Sequence, residues 1–208
     1  MRGVLRPFPL APRPPPSIPP LMKLLVLTAP SGAGKTTLAR RLMDRVDGLR
    51  FSVSATTRSP RPGEVDGEHY HFLALGDFSD RIDAGDFLEY EEVYPGRFYG
   101  TLRPAMEALA ARADTRAVVL DIDVKGALNV KELYGDDALT LFIAPPSLDA
   151  LADRLRSRGT ETEDRIEVRL SRAGLEMEFA SDFDGVVVND DLDEATEALV
   201  ARVERFLE

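Results

Sequence analysis

The chain has 208 residues, with 26 Lys+Arg against 36 Asp+Glu and a formal net charge of −10, which argues against a nucleic-acid polymer as ligand because such binders carry a basic surface. Hydrophobic residues make up 44% and charged residues 30%, the balance of a folded domain with a full core rather than a disordered chain. Cysteine is absent and only two histidines are present, so disulfide frameworks, thiolate zinc sites and His-rich metal centres are excluded, and no apolar run approaches the about 18 residues of a membrane span.

Eight of the 15 prolines fall in the first twenty residues. Proline has no backbone N–H to give a helix or strand, so residues 1–21 are expected to be a disordered, polyproline-like tail. Pro7, Pro9 and Pro12 interrupt any secretory signal, and the prolines oppose the amphipathic helix of a transit peptide. The segment reads as a tail without function or as upstream sequence read as coding. In the second case Met22, which leads directly into a strand, is the expected start. A proline-rich ligand for a partner domain is the alternative.

Lys23–Thr28 is short, apolar and nearly uninterrupted, as a buried parallel strand is. Ala29, Pro30, Ser31, Gly32, Ala33, Gly34, Lys35, Thr36 and Thr37 follow, and Leu38, Ala39, Leu42 and Met43 then recur with helical spacing. This is a phosphate loop in its required strand–loop–helix setting, complete except that Ala29 stands where the motif has its first glycine. Gly32 and Gly34 let N–H groups converge on phosphate oxygens, the helix start adds its positive end, Lys35 adds a full charge, and Thr36 offers a hydroxyl to Mg²⁺.

Arg58 and Arg61 flank Ser59-Pro60 in a loop that Pro60 and Pro62 stiffen. Two guanidiniums there can grip a second phosphate, or can balance Glu64 and Asp66 at the surface. Tyr70 and Tyr99 can add phenol donors to the same anion. His69 and His71 flank Tyr70 as half-exposed residues without a catalytic part. Glu89 lies in the strand-like run Asp86–Tyr94, and Thr101 follows the turn at Pro95-Gly96. A carboxylate with the hydroxyls of Ser54 and Thr101 can read a guanine edge, since a carboxylate accepts from N1–H and N2–H together, whereas adenine has no N1 donor.

Ala117–Asp121 is an apolar strand ending in carboxylates, and Asp121 suits Mg²⁺, through water, opposite a phosphate loop. Further core strands are expected near 139–143 and 185–188. Between them, Arg158–Glu163 joins two helical patterns, with Thr160 and Glu163 as a capping box. Arg165, Arg169 and Arg172 share one face of the second helix, and Arg154 and Arg158 are four apart on the first. Such arginines either close over a transferring phosphoryl group or pair with neighbouring glutamates on a solvated face. Near the end, Asp191 with Glu194 can cap the last helix.

From about residue 23 to residue 207 the chain resembles guanylate kinase, a nucleoside monophosphate kinase family. The resemblance rests on APSGAGKTTL, FSVSATTRSPRPGEVDGEHYHF, FLEYEEVYPGRFYGT, VVLDIDVKGA, LFIAPPS, RGTETEDRIEVRL and VVVNDDLDEA, in that order. It implies ATP and GMP, with dGMP, as substrates, Mg²⁺ as cofactor, and a cytoplasmic enzyme of purine metabolism. It implies that Ser54, Glu89, Thr101 and Asp123 bind the guanine end, that Arg58, Arg61, Tyr70 and Tyr99 bind the GMP phosphate, and that Lys35, Arg58, Arg158 and Arg169 carry catalysis. Residues 29–37 are assigned to ATP, and the resemblance implies that Asn189 touches its adenine.

The expected fold is a three-layer α/β P-loop NTPase core with a parallel sheet, formed by residues 22–52, 108–153 and 181–208. A strand-rich GMP-binding insert (53–107) and a helical lid (154–180) decorate it. Two alternatives stand beside this function: a non-catalytic guanylate-kinase-like interaction module, and a P-loop kinase for another small phosphate such as a ribose bisphosphate.

Overall fold

The computed structural model describes residues 22–208 apart from 158, 160 and 161. The proline-rich segment, Arg158 and the Thr160 of the expected cap therefore lie outside the described residues.

β1 (Leu24–Thr28) is buried at every position. It lies between β7 (Ala117–Asp121) and β8 (Ala138–Ala144), parallel to both. β2 (Leu49–Phe51) extends the sheet beyond β7 and β9 (Gly185–Val188) beyond β8, giving the order β2-β7-β1-β8-β9. These strands are near-continuous apolar runs because helices cover both faces. Leu24, Val26 and Leu120 face one cluster, with Val130 of α4 (Val124–Tyr134) and Met106 of α3 (Arg103–Ala110). Leu25 and Leu27 face the other, with Leu38 and Leu42 of α1 (Lys35–Arg45) and Leu199 and Val203 of α7 (Leu192–Leu207). This is the expected three-layer core. Its one unforeseen strand is β2, whose three residues are too few to show a period.

Because the strands run parallel, the loops that follow them gather at one sheet edge. Leu27 is in register with Asp121, so the loop after β1 and the end of β7 meet there.

The segment between β2 and β7 folds as a second sheet, of order β4-β3-β6-β5: β3 (Ala55–Thr56), β4 (His71–Phe72), β5 (Phe87–Tyr94) and β6 (Arg97–Leu102). It has its own small core of Ala55, Phe87, Phe98 and Leu102 with Phe78 from α2 (Leu75–Ala84). Phe78 stacks on Phe87 with ring centroids 4.3 Å apart.

α5 (Leu148–Ser157) and α6 (Glu163–Glu178) form a helical pair around Leu151, Leu155, Ile166 and Ala173. α6 begins at Glu163, the one member of the expected capping box among the described residues. Thr162 holds the cap position without a side-chain hydrogen bond, and the Glu163 carboxylate accepts from Arg156 Nε at 3.1 Å and 3.2 Å. A guanidinium offers a carboxylate a charged donor, which a backbone N–H is not. At the last helix the cap does form, with Asp191 accepting from the N–H groups of Asp193 and Glu194 at 2.8 Å and 2.9 Å. Among the described residues no helix is long and apolar enough to cross a membrane.

Candidate active site

At the loop after β1, Gly34 is left-handed, with φ 94°, and precedes α1 as its cap residue. No side chain caps this helix and no acidic residue lies in its first turn, so its leading N–H groups have no anionic neighbour on the helix itself and suit an incoming phosphate. Gly32 is also left-handed, with φ 101°. Pro30 and Ala33 are buried, while Ser31, Thr36 and Thr37 are exposed, and Ala29 packs on the core beneath. Asn189 is buried and donates its Nδ2 to the Ala33 carbonyl at 2.7 Å. A Cβ on Gly34 would stand 2.3 Å from that nitrogen. The amide that was expected near adenine thus braces the loop from the end of β9.

Lys35 forms an ion pair with Asp121 and also reaches the Ile122 carbonyl at 3.5 Å. The carboxylate expected to serve Mg²⁺ therefore holds the lysine. Arg169 Nη1 donates to Ser31 Oγ at 2.6 Å, which carries α6 to the phosphate loop. The other arginines of the helical pair divide. Arg154 donates to the Asn189 carbonyl at 2.8 Å, Arg172 pairs with Glu176 one turn on at 2.8 Å, and Arg165 is exposed.

Just after β3, Arg58 is half-buried with its side chain turned inward. Its two terminal nitrogens meet the two Glu64 oxygens, each at 2.6 Å, and Nη1 also reaches the Ser59 carbonyl at 3.0 Å. The guanidinium lies 4.9 Å from the Tyr70 ring centre and 5.5 Å from that of Phe72. Tyr70 and Tyr99 meet edge to face at 5.9 Å. Glu64 also accepts from the Arg61 N–H at 2.6 Å. The Arg58 side-chain bond and then this backbone N–H hold its carboxyl down at about 2, and the Glu64 bond raises the Arg58 pKa in turn. Burial, followed by the Asp121 charge, pushes the Tyr70 phenol up.

Glu89 and Thr101 are directly opposite in the β5–β6 pair, and Thr101 Oγ1 donates to Glu89 Oε1 at 2.7 Å. Loss of solvent raises the Glu89 carboxyl to about 7, against the Thr101 hydrogen bond and with help from the Asp123 charge. Asp123 caps α4, accepting from the Gly126 N–H at 2.7 Å. Ser54 stands just before β3, half-buried, and its carbonyl accepts from His71 N–H at 2.9 Å.

A phosphate loop, a second guanidinium pocket and a carboxylate–hydroxyl pair thus share one chain. The guanylate kinase family model matches residues 21–206. The chain belongs to the guanylate kinase family. A guanylate kinase of Salinibacter ruber is 58% identical over 188 residues, covering 90% of this chain and 98% of that protein. One from Chlorobium luteolum is 50% identical over 186 residues, covering 89% and 92%. The crystal structure of guanylate kinase from Anaplasma phagocytophilum superposes with a TM-score of 0.70 at 29% identity, over 89% of this chain and 86% of that one.

Within this member of the guanylate kinase family, one partnership that sequence reasoning placed at the surface is enclosed. Glu64 looked like a counter-ion at the surface, yet its side chain is 16% exposed and that of Arg58 only 8%. The available signal was its place in the proline-stiffened run, three residues after Arg61 and six after Arg58. His69 is exposed in a turn rather than half-exposed in a strand, and its Nδ1 accepts from the Val65 N–H at 3.1 Å.

Proposed function

We infer that the chain works as a guanylate kinase, moving the γ-phosphoryl group of ATP to GMP and releasing ADP and GDP in purine nucleotide metabolism. The observation that carries this reading is the coexistence of the uncapped helix start behind Lys35 with the Arg58–Tyr70–Tyr99 pocket and the Glu89–Thr101 pair. The first suits a nucleoside triphosphate, and the other two suit a purine monophosphate.

On the ATP side, N–H groups of residues 29–37 cradle the phosphates, Lys35 leaves Asp121 for their charge, and Asn189 keeps the loop in shape at Ala33. On the GMP side, Arg58, Arg61, Tyr70 and Tyr99 hold the phosphate, while Glu89, Thr101, Ser54 and Asp123 read the base. Glu64 and the Ser59 carbonyl take three of the Arg58 hydrogen bonds, leaving about two of its five N–H donors for a phosphate. Arg169, with Arg158, closes over the transferring group.

Thr36 and, through water, Asp121 would hold Mg²⁺ brought with ATP. The exposed hydroxyl and the ionised carboxylate are the hard oxygen donors this cation requires. Bound there, it would neutralise phosphate charge. A phosphate oxygen of GMP is already a nucleophile, so the protein's own contribution is alignment and charge stabilisation. The insert (53–107) and the lid (154–180) close on the substrates and exclude water, which limits ATP hydrolysis. We place the enzyme in the cytoplasm, with its nucleotides.

A coupled ADP-release assay with Mg-ATP and separate GMP, dGMP, AMP, UMP and ribose bisphosphate samples tests the reading. GMP, followed by dGMP, is expected to drive turnover, with kcat/KM for AMP lower by about a hundredfold or more. Folded protein that binds GMP but turns over no acceptor would make it a non-catalytic module.

A further inference from the structure

Gly126 lies in the first turn of α4, buried and helical. Its backbone conformation does not call for glycine, and alanine is the better helix former. Its surroundings supply a reason for glycine. A Cβ built on Gly126 would stand 2.9 Å from Glu89 Oε2, 3.3 Å from Glu89 Cδ and 3.2 Å from Asp123 Oδ1. The other Glu89 oxygen is the one that accepts from Thr101 Oγ1 at 2.7 Å. The carboxylate is therefore seated between a hydroxyl of its own sheet and the bare Cα of a core helix. Beside it, Lys125 reaches Glu91 at 3.8 Å, a second tie between α4 and β5.

We propose that Gly126 is a positioning residue that sets base specificity: its missing side chain is the space in which the Glu89 carboxylate is seated. The inference rests on the reading of Glu89 as the group that accepts from guanine. A methyl at position 126 meets the far end of a flexible side chain, so the carboxylate gives way while the helix stays intact. Shifted off Thr101, it no longer presents both oxygens to N1–H and N2–H. AMP has no N1 donor and loses nothing by the shift. The defect is therefore specific to guanine.

The test compares the full chain with Gly126→Ala and Glu89→Gln, reading melting temperature, KM for ATP, and kcat and KM for GMP and AMP. Gly126→Ala is expected to keep the melting temperature and the ATP KM, to raise the GMP KM about tenfold, and to lower the GMP/AMP ratio of kcat/KM by a similar factor. An unchanged GMP KM and ratio in Gly126→Ala, with both lost in Glu89→Gln, overturns the inference and leaves Glu89 as the reader. A ratio unchanged in Glu89→Gln removes the reader and the inference with it. A fall in melting temperature together with a raised ATP KM in Gly126→Ala makes the glycine structural and also overturns the proposal.

Discussion

The loop after β1 and the pocket on the second sheet both suit phosphate, but they are made of different material. The first is mostly backbone, with two left-handed glycines, an uncapped helix start and one lysine paired with Asp121. The second is mostly side chain, with Arg58 gripped by Glu64 and laid against Tyr70 and Phe72. A backbone cradle depends on local conformation and is pre-organised as soon as its strand and helix form. A side-chain pocket must hold a long, flexible cation in place, and here a carboxylate and two rings do so. The contrast teaches that one phosphate-suited pocket is held by the core's own geometry, whereas the other is held by partners brought in for it.

Three experiments break or sharpen that contrast. The largest effect is expected of Lys35→Ala. It removes the full charge from the backbone cradle and should lower kcat about a thousandfold, while GMP binding, measured by calorimetry, stays near that of the parent. Near-normal turnover would mean that backbone donors suffice. Next is Glu64→Ala, which frees the Arg58 guanidinium from its bidentate partner. Steady-state kinetics should show the GMP KM about tenfold higher with the ATP KM unchanged. Tighter GMP binding would instead make Glu64 a competitor of the phosphate.

The smallest effect is read from pH. With its carboxyl raised to about 7, Glu89 is protonated in acid and then accepts poorly from guanine. Moving from about pH 8 to about pH 6 should raise the GMP KM by up to about tenfold. Glu89→Gln should show only the titration of the GMP phosphate, which both proteins share. A parent profile as flat as that of the variant would refute a titrating reader. On the fold the same shift acts in the opposite sense: the stability it contributes is present below 4.5 and is lost as pH rises through about 7.

Much of this molecule was legible from local pattern. The run from Lys23 to Met43 showed a strand, a phosphate loop and a helix, because apolar period, glycine placement and helix spacing are written within about 20 residues. The β7 and β9 strands fall at 117–121 and 185–188 as expected. Glu89, Thr101 and Ser54 were grouped by chemistry, and the β5–β6 register sets the first two opposite each other. β2 was not legible, since three residues at a sheet edge carry no period, and neither was the pairing of Glu163 with Arg156 across the turn between two helices.

By itself, then, the sequence determined the α/β core and the phosphate loop, and offered residue types that suit guanine and phosphate. Only the tertiary structure decided the partners. Arg169 meets Ser31 across 138 residues and Asn189 meets Ala33 across 156, while Glu89 finds its seat against Gly126 of a different layer. Period and turn chemistry act over neighbouring residues, whereas the parallel sheet gathers the ends of distant strands at one edge, and it is packing there that selects which side chains meet.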